Sequence, residues 1–165
     1  MGIEGFKERY VNPYTDFGFK KLFGTEMNKE LLISFLNALL HGEQTVVDVT
    51  YLNNEHLGAY GSERRAIFDV YCENDRREKF IVEMQNVYQQ FFKDRSVFYA
   101  TFPIREQAKR GDWDFRLAAV YTIGILNFVF EEDRYSPEYF YHRVMLMDVE
   151  RKEVFYDKLT FIYLE

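Results

Sequence analysis

Two nearly continuous apolar runs lie at the centre of the chain, residues 66–72 (AIFDVYC) and 80–84 (FIVEM), on either side of a polar turn rich in Asn, Asp and Arg. Their β-branched and aromatic content predicts the paired strands of a hairpin. Their continuity predicts a sheet covered on both faces. Upstream, Asp16–Phe23 reads as a short helix capped by Thr15 or Asp16 and stopped at Gly24, with Phe17, Leu22 and Phe23 inward and Lys20 and Lys21 solvated. Residues 28–41 repeat Leu31, Leu32, Phe35, Leu36, Leu39 and Leu40 at helical spacing, between an Asn28 cap and a Gly42 stop. Residues 46–52 form a strand and 53–63 a loop. Residues 87–110 read as a long helix, with Val87, Phe91, Phe98, Phe102 and Ile104 apolar, Lys93, Arg95, Arg105, Lys109 and Arg110 on the other face, and a kink or break at Pro103. Residues 115–130 read as a core strand bent near Gly124, and 140–148 with 153–163 as a second hairpin.

The pattern places charge inside the first hairpin. With the turn centred on Arg76, Asp69 and Glu83 lie seven residues to either side and oppose each other on one face. Gln85, two residues beyond Glu83, leaves the strand on the same side, while Val82 and Met84 face the other way into packing. A carboxylate on a buried strand costs several kcal/mol unless a cation or hydrogen bonds compensate it. Two compensations fit the residues. One is a hard divalent cation, which prefers such oxygen ligands. The other is a buried polar cluster paired with arginines such as Arg64 or Arg65.

Composition narrows the classes. The chain has 165 residues, one domain's worth (1–165), divided into N-terminal helices (1–42), a central core (43–130) and a hairpin extension (131–165). Aromatics make up 19% of it, which excludes general disorder. No apolar run reaches the ~18 residues of a membrane span, and MGIEGFKERY lacks a signal-peptide core. Cys72 is the single cysteine and falls in a central strand, so it reads as a buried, inert thiol in a reducing, cytoplasmic setting. The net charge of −6 gives no global nucleic-acid signal, although carboxylates at a metal site are neutralised locally. His41, His56 and His142 show no zinc-ligand spacing. The chain ends in a strand, which suggests a piece of a longer protein.

The stretches TDFGFKKLFG (15–24), IFDVYCEN (67–74), IVEMQ (81–85) and FFKDRSVFYA (91–100) resemble, in this order, the PD-(D/E)XK nuclease family transposases, relatives of the Rpn recombination-promoting nucleases. The resemblance implies an α/β fold with a restriction-endonuclease-like αβββαβ core: a mixed sheet flanked by helices, extended here by a C-terminal β-hairpin. It implies a DNA endonuclease that hydrolyses phosphodiester bonds with Mg2+ or Mn2+. By matched motif, Asp69 and Glu83 are the conserved acids and metal ligands, with the backbone carbonyl of Met84 beside them and Asp16 completing the shell. Gln85 stands where the superfamily most often has Lys and completes the catalytic set. Being uncharged, Gln85 cannot act as a base near neutral pH; positioning water or coordinating metal remains open to it. Arg95 and Tyr99, with Lys93 beside them, are the expected DNA contacts. The expected partner is DNA and not a membrane, with a homodimer left open. The alternatives are a weak or inactive module of the same fold that binds protein or nucleic acid, and an interaction domain unrelated to nucleases. Helix capping is the competing role for Asp16.

Overall fold

The computed structural model describes residues 10–56, 66–108, 111–136 and 138–165. Arg64 and Arg65, most of the loop before them, Lys109 and Arg110 lie outside the described residues.

The chain runs α1 (Asp16–Phe23), a 3-10 turn at Glu26–Asn28, α2 (Lys29–Leu39), β1 (Val49–Tyr51), β2 (Glu55–His56), β3 (Ala66–Ile67), β4 (Val70–Asn74) and β5 (Lys79–Gln85). It continues with α3 (Phe92–Glu106), β6 (Val120–Leu126), a 3-10 turn at Glu131–Asp133, β7 (Tyr141–Asp148) and β8 (Glu153–Leu164). Six strands form one mixed sheet in the order β1-β4-β5-β6-β8-β7, and β2 and β3 make a separate short ladder. The β4–β5 and β7–β8 pairs are antiparallel, whereas β5, β6 and β8 run parallel. The α3 crossover supplies the β5-to-β6 connection that parallel strands require.

Side chains alternate along each strand, so the sheet has two cores. Phe80, Val82, Val70 and Cys72 pack with Phe19 of α1 and Leu32 and Leu36 of α2. Ile81 and Tyr71 pack with Phe68 and Phe102, and Val120, Phe161 and Tyr163 pack with Phe92 and Ala100. Helices thus flank both faces, and α2-β1-β4-β5-α3-β6 reproduces the expected core order. Cys72 is fully buried, and burial pushes its thiol up to about 12.

Several elements depart from the sequence pattern: the stretch 53–63, read as a loop, holds β2 at Glu55–His56, and the 46–52 strand shortens to Val49–Tyr51. The first hairpin strand is interrupted at Phe68–Asp69, where Asn54 binds the Phe68 backbone on both sides: its carbonyl accepts from the Phe68 N–H, and its amide donates to the Phe68 carbonyl. The helix after β5 starts at Phe92, not at 87, because Asn127 holds the preceding segment: its N–H donates to the Gln85 carbonyl and its Nδ2 to Asn86. Val87 and Phe91 are consequently exposed. Pro103 does not divide α3; it sits in the last turn, where its missing N–H removes one intrahelical bond. Phe17, expected inward, is 71% exposed, and β6 occupies only 120–126 of the apolar stretch. Gly124 serves close approach rather than a bend, since a Cβ there would lie 3.0 Å from Tyr163 Cδ1 and 3.1 Å from Phe92 Cζ.

Candidate functional site

The site forms where β4 begins and β5 ends. The hairpin register pairs Val70 with Val82 and Glu73 with Lys79, the pairing set by a turn centred on Arg76. Extended one step, it places Asp69 opposite Glu83, as the spacing predicts. At this step the backbone ladder gives way to side chains. The Asp69 N–H donates to Glu83 Oε1 at 3.1 Å, and the Met84 N–H donates to Asp69 Oδ2 at 2.9 Å. Each carboxylate therefore receives a backbone N–H where β-pairing would offer a carbonyl, and the bend at Phe68–Asp69 makes room for the exchange.

Burial dominates the electrostatics here. The Glu83 side chain is 12% exposed. Burial pushes its carboxyl up to about 8, the negative charge of Asp69 adds to the rise, and the Asp69 N–H, Arg95 and Lys20 oppose it. Asp69 is also raised, first by burial, against the Met84 N–H and Lys20. Two carboxylates thus face each other in a place that disfavours their negative charge.

Two basic groups stand at the rim. Lys20 Nζ lies 2.8 Å from Asp16 and 3.5 Å from Asp69, so it is not merely solvated. It links Asp16 to the site, although the Asp16 side chain itself is largely exposed. Asp16 is not the helix cap; Thr15 Oγ1 takes that role by accepting from the Gly18 N–H. Arg95 comes from the first turn of α3 and lies 3.9 Å from Glu83 Oε2. Its Nη2 donates to Gln85 Oε1 at 2.5 Å, and its guanidinium lies over the Phe92 and Tyr99 rings at 5.3 and 5.6 Å.

Gln85 uses both ends of its amide, since Nε2 donates to the Val87 carbonyl at 2.7 Å. Tyr99 packs edge-on against Phe68. Arg95 and Tyr99 line a groove of about 770 Å3 with Gln89, Gln90, Phe91, Asp94 and Phe98. Lys93 does not join them; its ammonium is taken by Glu132 and lies 4.4 Å from the centre of the Phe130 ring. A cleft of about 690 Å3 opens at the other end of β5, but its lining mixes signs, and Glu73 pairs with Lys79 there.

Sequence reading missed a second cluster. Asp133, His142 and Glu165 bring one ligand atom each to within 4.8 Å of one another. The β7–β8 pairing, with His142 opposite Tyr163, brings His142 and Glu165 together, and Asp133 joins them from the 3-10 turn after β6.

A comparison with the curated proteins gives no match, and neither does one with the solved structures. The family model of the PD-(D/E)XK nuclease family transposases matches residues 13–165. That span includes α1, the Asp69–Glu83 hairpin and α3, and the chain belongs to the PD-(D/E)XK nuclease family transposases.

Proposed function

We propose that the protein is a metal-dependent DNA endonuclease whose centre is Asp69 and Glu83. The observation that carries this reading is the pair of opposed carboxylates, each accepting a backbone N–H from across the hairpin, in a largely apolar part of the sheet. Their all-oxygen donor set fits Mg2+ or Mn2+. Asp69 and Glu83 would hold the ion, with the Met84 carbonyl, which leaves the strand on the same side as the N–H that meets Asp69. When bound, such an ion polarises a phosphoryl oxygen and lowers the pKa of water.

The remaining roles belong to side chains of the rim. Arg95 carries the positive charge that the superfamily places on a lysine at position 85. Gln85, through its hydrogen bond to Nη2, aims that guanidinium toward Glu83. Gln85 is then a positioning residue, and Arg95 offsets charge on the phosphoryl group as the bond breaks. Tyr99 holds the Arg95 plane and lines the groove in which DNA would lie. Asp16 steers Lys20 at the rim.

The test is cleavage of supercoiled plasmid by the full chain in Mg2+ or Mn2+. Asp69→Ala should abolish cutting, and Arg95→Ala should slow it at least ~10-fold while leaving cation binding in place. Undiminished cutting by Asp69→Ala would overturn the proposal. A second reading, a binding module without catalysis, draws on Lys20 and Arg95, which already stand 3.5 and 3.9 Å from the two carboxylates. It requires that no Mg2+ or Mn2+ binding depend on Glu83.

A further inference from the structure

The second cluster lies at the other end of the same face of the sheet. Glu83 pairs with Gly124, Gly124 with Tyr163, and Tyr163 with His142, so one cross-strand row runs from the first site to the second. Three interstrand steps of ~4.8 Å separate the two by about 14 Å. The two sites share no residue.

Three chain segments meet in this cluster. Asp133 closes the 3-10 turn after β6, His142 is the second residue of β7, and Glu165 follows β8. The Glu165 N–H donates to the Phe140 carbonyl at 2.9 Å, which continues the hairpin past its last paired residue. Glu165 stands two residues after Tyr163 and therefore shares a face with His142.

The geometry is not that of hydrogen bonding. His142 Nε2 lies 3.6 Å from Asp133 Oδ2 and 3.5 Å from Glu165 Oε1. Hydrogen bonds from nitrogen to oxygen fall at about 2.7–3.2 Å. Nε2 is fully buried and has no hydrogen-bond partner, a costly condition for a ring nitrogen. Glu165 is 3% exposed, and among the described residues neither it nor Asp133 is paired with a lysine or arginine. The Lys93 ammonium, which lies over the Phe130 ring, is held by Glu132.

These separations match the edges of a metal coordination shell. Ligand atoms at ~2.1 Å from a tetrahedral centre stand about 3.4 Å apart. One imidazole nitrogen and two carboxylate oxygens form a donor set for zinc or a neighbouring transition metal, whereas Mg2+ prefers oxygen alone. The shell around the cluster is also ordered. The Phe130 N–H donates to Glu165 Oε1 at 2.8 Å, and the Phe130 ring packs edge-on to His142 at 5.7 Å. Outer partners of this kind fix the orientation of ligating groups.

We propose that Asp133, His142 and Glu165 bind one divalent transition-metal ion of the zinc type, and that the ion clamps the β7–β8 hairpin to the turn after β6. The competing account is an imidazolium ion paired with two carboxylates, with no affinity for metal.

The experiment is a Zn2+ titration of the chelator-stripped full chain by calorimetry and thermal melting. The chain should bind Zn2+ at this site and melt at a higher temperature. Asp133→Asn and His142→Asn should each weaken that binding at least ~100-fold, while Asp69→Asn retains it. Co2+ in the unsubstituted chain should give the intense visible bands of a four- or five-coordinate site, a readout that stands even if a variant fails to fold. Equal Zn2+ affinity in all variants, loss of binding in Asp69→Asn alone, or a Co2+ spectrum identical to that of the hydrated ion would overturn the proposal. None of these outcomes bears on plasmid cleavage, so this site and the Asp69–Glu83 centre stand or fall separately.

Discussion

The two hairpins of the sheet use similar residues and end up differently. Both are rich in aromatic and β-branched residues. The β4–β5 hairpin has helices over both faces, and its pairing runs without a shift from Glu73–Lys79 to Val70–Val82. The β7–β8 hairpin lies at the sheet edge, with Leu146, Met147, Val154 and Phe155 exposed, and its register shifts on either side of Leu146. Where both faces are buried, a one-residue slip would exchange two cores and is strongly opposed. Where they are exposed, a bulge costs little. Burial therefore fixes the register that puts Asp69 opposite Glu83. The same burial makes those carboxylates unfavourable without a cation.

Substitutions can break this contrast, and the largest effect belongs in the covered hairpin. Phe80 is fully buried and stacks on Tyr121. Phe80→Ala should cost about 3–5 kcal/mol in urea denaturation. Next comes Glu83→Gln in the metal-free chain. The folded-state pKa of Glu83, about 8, lies above its unfolded value, so the stability it contributes is full below about pH 4.5 and is lost as pH rises through 8. The glutamine variant keeps the acceptor for the Asp69 N–H and carries no charge. It should exceed the unsubstituted chain by about 2–4 kcal/mol at pH 9 and by little at pH 5, read from denaturation at both pH values. Gly124→Ala should cost about 1–3 kcal/mol, because its Cβ meets Tyr163 and Phe92. Phe155→Ser, on the open hairpin, should stay within about 0.5 kcal/mol of the unsubstituted chain.

The same contrast decides what could be read from the sequence. The central hairpin was legible from its apolar pattern; its register rested on placing the turn at Arg76, the placement that the Val70–Val82 and Glu73–Lys79 pairs share. Thr15 and Gly24 bounded α1 correctly because capping is local chemistry. The early start assigned to α3 came from Val87 and Phe91, whose apolar spacing is helical but which follow the Gln85–Asn86 segment that Asn127 holds across the sheet. Lys20 and Lys21 look alike in sequence, yet only tertiary packing sets Lys20 beside Asp69. Gln85 was legible as the neighbour of Glu83 on one side of its strand, but its hydrogen-bond partner Arg95 was visible only as one cation on a helix face. The Asp133–His142–Glu165 cluster was illegible for the same reason that the open hairpin is irregular: no buried pattern announces its register.

Asp69 and Glu83, in the proposed function, stand opposed to hold a divalent cation. Calorimetric titration of the full chain with Mn2+ measures this directly, with Asp69→Asn and Glu83→Gln in parallel and Asp133→Asn as the variant that leaves this centre intact. The account predicts binding in the unsubstituted chain and in Asp133→Asn, and its loss in both Asp69→Asn and Glu83→Gln. Mn2+ binding that persists unchanged when either carboxylate is neutralised would contradict it.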